Sequence, residues 1–400
     1  MTQYDFAIVG GGMTGATMAL ALAHMGHESR RPARILLLDQ RRLGDGPHQG
    51  FDSRAIALSY GSEQILRQLN LHQAFLGGCG TISSIHVSDR GHYGRAVMTA
   101  EEYHLPHLGR VVELNDVGHG LLKQLNNEPQ IEYLAPASLV KVEVKSTGAR
   151  LQLADGGVIE TPQLLLADGG ESHWRSALGW RWLETEYGQR ALVTTVQSLD
   201  AMPGRAWERF TSEGPLALLP LGDGRFSVVW TLAPEQAEQL MRLDDRLLLQ
   251  QLQQQFGYRA GRFSRIGQRA IYPLVMRKML DVVHEGCLLL GNAAHQLHPV
   301  AGQGFNLALR DVATFYHLQS VRWLAGKPAG GAELANTYLQ QRQADVSRTL
   351  QMTHGLAILF ASDAKPMILG RSLALWAMNR CAALKWPLVR QALGIQESLR

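Results

Sequence analysis

The sequence predicts an α/β fold in which a parallel sheet is assembled from distant segments of the chain. Short apolar runs begin near residues 5, 35, 164 and 287 and end in glycine or aspartate, which is typical of buried parallel strands. Alternating apolar segments between these runs predict antiparallel strands, and the chain is helical from about residue 304 onward. This pattern indicates a discontinuous Rossmann-like domain, an inserted antiparallel-sheet domain and a C-terminal helical region.

The length of 400 residues allows two or three domains of ~150 residues each. We expect the dinucleotide-binding domain to be discontinuous and to contain residues 1–80, 100–176 and 276–330. We expect an inserted substrate domain over residues 81–99 and 177–275, and the helical region over residues 331–400.

The first predicted element is a βαβ unit. Residues 5–9 predict a strand, residues 13–25 a helix that Gly26 closes, and residues 35–39 a second strand. A G-x-G-x-x-G turn, residues 10–15, lies between the first strand and the helix.

This turn has the composition of a dinucleotide site. Gly10 permits the tight turn, Gly12 lets a pyrophosphate approach the helix N-terminus, and Gly15 lets the helix lie close to the strand. Asp39, at the end of the second strand, is placed to accept hydrogen bonds from the adenosine ribose hydroxyls. The turn alone allows NAD as readily as FAD. The cofactor-binding residues predicted in this segment are Gly10, Gly12, Met13, Thr14, Gly15, Asp39 and Gln40.

The middle of the chain mixes helical and strand patterns. Residues 53–70 and 111–126 predict helices. Strands are predicted within residues 81–99 and over residues 131–134, 139–145, 149–154 and 158–160. Residues 164–167 predict another buried strand, which ends at Asp168-Gly169.

The strongest antiparallel pattern covers residues 205–232, where two apolar segments flank a Gly-Asp-Gly-Arg turn. A helix over residues 234–256 and a strand over residues 267–274 are predicted to follow. The buried strand at residues 287–290 then leads into a second glycine-rich turn, and a Gly/Pro break at residues 326–331 interrupts the later helices.

The second glycine-rich turn, residues 291–306, begins about 280 residues after the first, which fits a long cofactor held at both ends. Gly302 and Gly304 allow the backbone to approach a planar ring. The helix that follows would direct its positive N-terminus at the negative edge of a reduced flavin. His295 and His298 form an H-x-x-H pair, but no carboxylate or thiol is spaced to complete a metal site, so we expect no metal.

Composition excludes several classes of function. The net charge of +4 is mild, and no dense Lys/Arg patch interleaved with aromatic residues indicates nucleic-acid binding. Three widely spaced cysteines favour a reducing compartment. The N-terminus lacks the pattern of a signal peptide, and no apolar run approaches the ~18 residues of a membrane span. We therefore expect a cytoplasmic protein, with peripheral contact at the inner membrane as the alternative.

Three motifs taken together resemble the FAD-dependent aromatic hydroxylases of the para-hydroxybenzoate hydroxylase type. These motifs are the first glycine turn, the Asp168-Gly169 turn with Arg175 nearby, and the GNAAH segment that starts at Gly291. The resemblance spans roughly residues 4–350. The segments FDSRAIAL, HVSDRGH and GNAAHQLHPVAGQGFNLALRDV are most similar to the ubiquinone-biosynthesis branch, in particular to the 2-polyprenyl-6-methoxyphenol hydroxylases. This resemblance implies bound FAD and a prenylated, methoxylated phenol as the substrate.

The resemblance also implies roles for single residues. Arg54 would approach the flavin pyrophosphate, and Asn115 would lie near the flavin. Asn292 departs from the family's usual Asp that contacts the ribityl hydroxyls, although Asn keeps one acceptor oxygen. The catalytic positions beside the reactive ring would be Pro299, Gly302 and Gly304. The further cofactor-binding residues are Asp168, Gly169, Gly291, Asn292, Pro299, Gly302, Gln303, Gly304, Phe305 and Asn306.

By the same resemblance, NAD(P)H binds transiently and reduces the FAD, O₂ forms a C4a-hydroperoxide on it, and the distal oxygen is transferred to the ring. A phenolate is the better nucleophile, so a protein base is expected, but the sequence does not identify it. Trp207, Trp230 and Tyr272 are candidates for the pocket wall, with plain core packing as the alternative, and His298 is a candidate to face the substrate.

Other functions stay open at this point. They are hydroxylation of another ring position in the same pathway, a flavin reductase or oxidase that inserts no oxygen, and a non-catalytic subunit of a ubiquinone-biosynthesis assembly. The C-terminal residues 341–400 carry eight Lys/Arg against three acids, with Trp376 and Trp386 among apolar stretches. This region is a candidate contact with a membrane surface or with subunits of such an assembly.

Overall fold

The structure of the protein, a computed structural model, describes residues 2–43, 55–297, 302–361 and 365–395. Strands and helices are numbered along the chain. The predicted α/β class is confirmed, and four sheets and a C-terminal group of helices surround one large cavity.

A six-stranded sheet forms the nucleotide end of the molecule. It contains β2 (Phe6–Val9), β3 (Ile35–Leu38), β9 (Ile131–Leu134), β13 (Gln163–Leu166), β20 (Val283–His284) and β21 (Cys287–Leu289). Their spatial order is β20–β21–β13–β2–β3–β9, and every pair is parallel except β20–β21. The four apolar runs predicted as buried parallel strands therefore lie side by side, and the turns that follow them meet at one edge.

Both faces of this sheet are buried, which explains why its strands are apolar throughout. Phe6 and Ile8 pack against a layer of helices, α1 (Met13–Glu28), α4 (Leu114–Asn127) and α8 (Gly304–Leu324). Ala7 and Val9 face the opposite way, toward a four-stranded sheet of β1 (Thr2–Gln3), β10 (Leu139–Lys145), β11 (Gly148–Leu153) and β12 (Val158–Thr161).

A nine-stranded sheet forms the other end of the molecule. It contains β6 (Ser84–Asp89), β7 (Arg95–Thr99), β14 (Trp182–Ser198), β15 (Arg205–Thr211), β16 (Gly214–Gly222), β17 (Arg225–Leu232), β18 (Phe263–Ile266), β19 (Ala270–Met279) and β22 (His295–Gln296). The order is β22–β19–β14–β17–β16–β15–β6–β7, and β18 also pairs with β14. Helices α6 (Pro234–Arg242) and α7 (Asp245–Phe256) cover one face, and the opposite face lines the cavity.

Smaller elements join the two ends. A three-stranded sheet contains β4 (Ala55–Ser59), β5 (Gly80–Ile82) and β8 (Gly109–Glu113), in the order β4–β8–β5. The short helices are α2 (Tyr60–Gln68), α3 (His72–Leu76) and α5 (His173–Ala177), with 3₁₀ turns at Glu101–Tyr103 and Gly291–Ala293. An added Cβ on Gly80 would overlap the carbonyl oxygen of Pro220, so β5 lies directly against β16.

Three C-terminal helices close the cavity, namely α9 (Ala332–Ala361), α10 (Lys365–Arg380) and α11 (Ala382–Leu393). Buried ion pairs tie them to the nine-stranded sheet and its neighbourhood. Arg371 of α10 donates to Asp89 of β6 at 2.7 Å, and Lys385 of α11 lies 2.6 Å from Glu102. Within the ranges given above, no helix is both long enough and apolar enough to cross a membrane.

Several elements differ from their predictions. Residues 55–59 form β4 and residues 111–113 belong to β8, where helices were predicted, because these two segments pair with each other as antiparallel strands. The predicted helix over residues 234–256 is two helices, since α7 starts anew where the Asp244 side chain accepts a hydrogen bond from the Leu247 amide. The long strand β14 was not predicted. The domain boundaries themselves stay a prediction.

Candidate functional site

The cavity has a volume of about 1420 Å³. It extends from the carboxyl edge of the six-stranded sheet, across the open face of the nine-stranded sheet, to helices α9, α10 and α11. Small-molecule sites usually occupy roughly 300–1,000 Å³, so this cavity has room for a large cofactor and a second ligand.

The first glycine turn lines one end of the cavity. Gly10 has φ +103°, and an added Cβ would lie 2.5 Å from the Ala167 backbone. A Cβ on Gly15 would overlap the carbonyl oxygen of Gly10, so only glycine lets α1 lie this close to β2. A Cβ on Gly12 would meet nothing within 4 Å, because this position faces the cavity.

The N-terminus of α1 is open toward the same space. Gly12 is its N-cap residue, and none of the described side chains accepts a hydrogen bond there to cap the first turn. Unpaired amides at a helix N-terminus are suited to bind a pyrophosphate. Met13 and Thr14 also line the cavity, as predicted from the turn.

Asp39 follows β3 and lies at the end of the cavity beside Gln40. Its Oδ2 accepts a hydrogen bond from the Gly11 amide at 2.6 Å, and its Oδ1 accepts one from the Arg41 amide at 2.9 Å. Both bonds fix the carboxylate at the edge of the glycine turn, where it retains lone pairs for ribose hydroxyls.

Asp168 follows β13 and adds a second carboxylate to this edge. Its Oδ2 accepts a hydrogen bond from Ser172 at 2.6 Å, whereas its Oδ1 is buried without a partner among the described residues. Burial raises the pKa of this carboxyl, which the hydrogen bond from Ser172 partly offsets. Gly169 lines the cavity next to it, and Arg175 ties this segment to the second turn by donating to the Ala293 carbonyl at 3.0 Å.

A buried charge network supports the second glycine turn. His295 lies 2.7 Å from Oδ2 of Asp311 on α8, and Oδ1 of Asp311 accepts from Arg342 at 2.8 Å. The Gly291 amide donates to the same Asp311 Oδ2 at 3.3 Å. The nearby His295 and Arg342 hold the pKa of Asp311 far below its usual range in spite of the burial that opposes them. The sequence motif pointed to the turn but not to this network.

The second turn presents its residues to the same cavity. Asn292, Gly302, Gln303, Gly304 and Phe305 all line it, and α8 begins at Gly304 without a described side chain capping its N-terminus. Gly291 does not line the cavity, because it packs against Thr14.

Asn306 lines the cavity but uses its amide group to connect two segments. Its Oδ1 accepts from the Ser59 amide at 2.8 Å, and its Nδ2 donates to the carbonyls of Ala57 and Gly302. The side chain therefore fixes β4 against the second turn, a function that the sequence pattern did not indicate.

The opposite end of the cavity is mostly apolar. Its floor is the open face of the nine-stranded sheet, and its roof comes from Phe360, Leu375, Met378 and other residues of α9 to α11. Tyr272 lines the floor, and its contact with the substrate stays a prediction.

The prediction for Trp230 needs correction. This side chain is 2% exposed and lies on the opposite face of the sheet, in the core with α6 and α7, because its strand alternates Val229 and Thr231 toward the cavity. The Trp207 side chain packs in the same core, although Trp207, unlike Trp230, is also among the residues that line the cavity.

The predicted roles of Asn115, Arg54, His298 and Pro299 are not confirmed. Asn115 is exposed on the first turn of α4 and does not line the cavity, whereas its neighbour Leu114 does. Arg54, His298 and Pro299 lie outside the described residues, so their predicted roles stay predictions.

The observed groups fit FAD. Two uncapped helix N-termini, a fixed carboxylate beside the first turn and the unpartnered Oδ1 of Asp168 all face one elongated cavity. The first helix suits a pyrophosphate, and the second suits the electron-rich edge of a flavin ring. Fold and site together define the class of FAD-dependent oxidoreductases, here with an apolar chamber beside the ring end.

Comparison with known proteins gives the family. The FAD binding domain family matches residues 3–353. The ubiquinone hydroxylase UbiL of Rhodospirillum rubrum is 32% identical, with 98% of this chain and 89% of the relative covered. The 3-demethoxyubiquinol 3-hydroxylase of Escherichia coli is 30% identical, with 98% of each chain covered. The solved structure of p-nitrophenol 4-monooxygenase from Pseudomonas putida has a TM-score of 0.77 at 14% identity and covers 98% of this chain and 99% of its own.

This chain belongs to the FAD binding domain family and, within it, to the ubiquinone hydroxylases. It is an FAD-dependent monooxygenase.

Proposed function

We propose that this enzyme hydroxylates 2-polyprenyl-6-methoxyphenol to the 1,4-benzoquinol in ubiquinone biosynthesis, with O₂ as the oxygen source and NAD(P)H as the reductant. The observation that carries this proposal is the continuity of the cavity from Gly12 and Asp39 to an apolar chamber roofed by α9 to α11. One ligand space thus joins a dinucleotide end to a chamber that suits a ring with an isoprenoid tail.

When bound, FAD supplies the activation of O₂ and the transfer of oxygen to the ring. The protein's own residues bind and orient. The amides at the start of α1 would hold the pyrophosphate, Asp39 the ribose, and the amides at the start of α8 the ring. Proposed contacts of Asn292, Asp168 and Gly169 complete this set. The apolar sheet face and the C-terminal helices would exclude water from the reacting ring.

The proposal predicts which compound accumulates when the enzyme is absent. In a deletion strain, mass spectrometry of the quinone intermediates should show 2-polyprenyl-6-methoxyphenol, and the intact gene should clear it. A strain that accumulates a different intermediate would refute the specific assignment. The purified protein should also be yellow and should oxidise NAD(P)H faster when substrate is added. Turnover of NAD(P)H without any hydroxylated product would instead identify a reductase or oxidase.

A second candidate is hydroxylation of another ring position in the same pathway. The relative named 3-demethoxyubiquinol 3-hydroxylase, at 30% identity over 98% of this chain, favours it. The same deletion experiment separates the two, because each ring position has its own accumulating precursor.

We also propose that α10 and α11 receive the substrate from a membrane surface. Leu369, Leu373 and Trp376 on α10 and Trp386 on α11 are exposed, and residues 365–395 contain five Lys/Arg and no acid. Apolar side chains among cations suit an anionic bilayer surface, and residues of the same helices line the cavity.

A flotation assay tests this contact. The full-length holoenzyme should float with vesicles of phosphatidylglycerol and phosphatidylethanolamine, and flotation should fall when Leu373 and Trp376 are both replaced by Ser. An exposed apolar residue elsewhere, Tyr258→Ser, serves as the matched control. Unchanged flotation of the double variant would remove the membrane contact and leave a contact with protein subunits as the alternative.

A further inference from the structure

Glu208 is a carboxyl group on the apolar face of the nine-stranded sheet that lines the cavity. It lies on β15, paired across the sheet with Val87 of β6 and Ala217 of β16. The same cross-strand row continues through Val229 and Val193, and all of these neighbours are apolar and line the cavity. A charged side chain placed alone in such a row opposes folding, and a residue kept there at this cost is a candidate for a functional site.

Glu208 lines the same cavity as Gly302 and Gly304, where the ring end of the cofactor is expected. Its neighbour strand β16 packs against β5 and β8 of the three-stranded sheet, which Asn306 joins to the second glycine turn. At the usual spacing of about 4.8 Å between strands, Tyr272 on β19 is four strands, roughly 19 Å, away from Glu208 on β15.

The ionisable groups that face the cavity near this row are held by other partners. Arg371 of α10 is bound to Asp89, and Lys385 of α11 is bound to Glu102. His86, which directly precedes Val87 on β6, lies on the opposite face of the sheet beside Trp207. Burial lowers the pKa of His86 to about 4. Burial alone raises the pKa of Glu208 to about 7, with no neighbouring charge contributing.

From this placement we propose that Glu208 is the base that accepts the phenol proton of the substrate. The inference rests on the proposed function, because it requires a phenolic ring in the apolar chamber. In the step, the phenol O–H bond breaks, its proton moves to a carboxylate oxygen of Glu208, and the electron pair stays on the phenolate oxygen. The carboxylate becomes a neutral acid, so the total charge is conserved. The phenolate is the more reactive ring toward an electrophilic oxygen.

The test compares wild type, Glu208→Gln and Glu208→Asp as FAD-loaded enzymes. The matched control is Glu186→Gln, which neutralises an exposed carboxyl on β14 of the same sheet. The probe is the short-chain compound 2-prenyl-6-methoxyphenol. Its binding constant, from the flavin difference spectrum, and the hydroxylated product formed per NAD(P)H are measured between about pH 5.5 and pH 8.5. FAD content and Tm show whether each variant is folded.

Wild type should lose hydroxylation as the pH falls below about 7, because a protonated Glu208 cannot accept the proton. Glu208→Gln should hydroxylate ~10²–10⁴-fold more slowly at every pH, and its rate should no longer fall as the pH is lowered. NAD(P)H oxidation should continue in that variant and release peroxide. Glu208→Asp should keep part of the hydroxylation rate and should again lose it at acidic pH. Glu186→Gln should match wild type.

A Glu208→Gln enzyme that keeps the wild-type rate and pH profile would overturn the inference. The binding data separate this failure from failure of the proposed function. If wild type forms no product from the probe, the proposed function is wrong. Glu208 is then judged by the pH dependence of probe binding, which should weaken below about pH 7 in wild type and stay flat in Glu208→Gln. A flat wild-type curve would reject the role of Glu208.

Discussion

Asp311 on α8 and His295 within the second glycine turn are joined at 2.7 Å between Oδ2 and Nε2, with both side chains buried. Because Oδ1 of Asp311 also accepts from Arg342, one carboxylate connects the turn, α8 and α9. The carboxylate contacts the Gly291 amide as well, so the geometry of the cofactor-binding turn depends on a residue that lies outside the cavity lining.

Asp311→Asn should destabilise the protein and weaken FAD retention. The substitution leaves His295 and Arg342 without their anion, and breaking a buried pair typically costs about 3–5 kcal/mol. Thermal unfolding and release of flavin fluorescence measure the two effects. Asp281→Asn, an exposed carboxyl before β20, is the control. Equal Tm values for the two variants would show that the network does not support the turn.

The same carboxylate predicts the response of the wild type to acid. The pKa of Asp311 is held far below its usual range, so its contribution to stability is present above the unfolded-state pKa of about 4. That contribution is lost progressively as the pH falls below this value. Asp311→Asn should therefore be less sensitive to acid than wild type between about pH 4 and pH 2. Parallel stability curves in this range would contradict the expectation.

Two glycines of the first turn should respond in opposite ways to alanine. Gly12 has φ −63°, which alanine adopts, and its Cβ would enter the cavity. Gly12→Ala should keep the Tm of the apoprotein but bind FAD ~10–100-fold more weakly, since the methyl group fills the space for the pyrophosphate. Gly15→Ala should lose ~1–3 kcal/mol or more of stability, because its Cβ overlaps the Gly10 carbonyl. A Gly12→Ala protein with normal FAD affinity would place the pyrophosphate elsewhere.

At Asn292 a substitution should strengthen FAD binding. It is exposed to the cavity at the position where the resembled family usually has Asp. Asn292→Asp should bind FAD up to about tenfold more tightly, because an ionised acceptor strengthens a hydrogen bond from a ribityl hydroxyl. Fluorescence titration of the apoenzyme measures the constant. A weaker complex would show that Asn292 donates to the cofactor in place of accepting from it.

The glycine turns could be predicted from sequence because all the determinants of such a turn lie within a few residues. Two other segments were not predicted correctly for the opposite reason. Residues 55–59 have a composition that also suits a helix, and only pairing with residues 109–113 makes them a strand. The first half of β14 is polar and exposed, and its partner residues on β19 lie about 90 residues away along the chain.

The site residues show the same distinction. Trp230 was a candidate because it is aromatic. A side chain reaches the cavity only if it lies on the strand face that is turned toward it, and which face that is depends on how the whole sheet packs. Alternation in AWERF already places Trp207 and Glu208 on opposite faces of the strand, so a lone acid between Ala206 and Phe210 was the signal that could have identified Glu208. The Asp311 network was beyond prediction because it joins residues 295, 311 and 342.

Alanine substitutions at Tyr272 and Trp230 should differ in effect, the first lowering the coupling of NAD(P)H oxidation to product and the second lowering stability. Trp230→Ala removes a large side chain from the core and should cost about 3–5 kcal/mol of stability. Product formed per NAD(P)H should be unchanged in whatever fraction stays folded. Tyr272→Ala should leave Tm nearly constant and lower that ratio, because it opens the cavity wall to water. Equal coupling in the two variants would remove Tyr272 from the substrate site.

Glu208→Gln should make the protein more stable at alkaline pH, although it is expected to impair catalysis. The pKa of Glu208 is raised from 4.5 to about 7, so the folded state disfavours its charged form. Wild type is therefore penalised progressively as the pH rises from about 4.5 to about 7, and the full penalty persists above this range. The variant lacks the charge. Its Tm should exceed that of wild type by roughly 2–5 °C at pH 8 and equal it at pH 4.5. A variant that is less stable than wild type at pH 8 would mean that the carboxylate has a stabilising partner, and the base proposed for the phenol would then have to be sought elsewhere in the cavity.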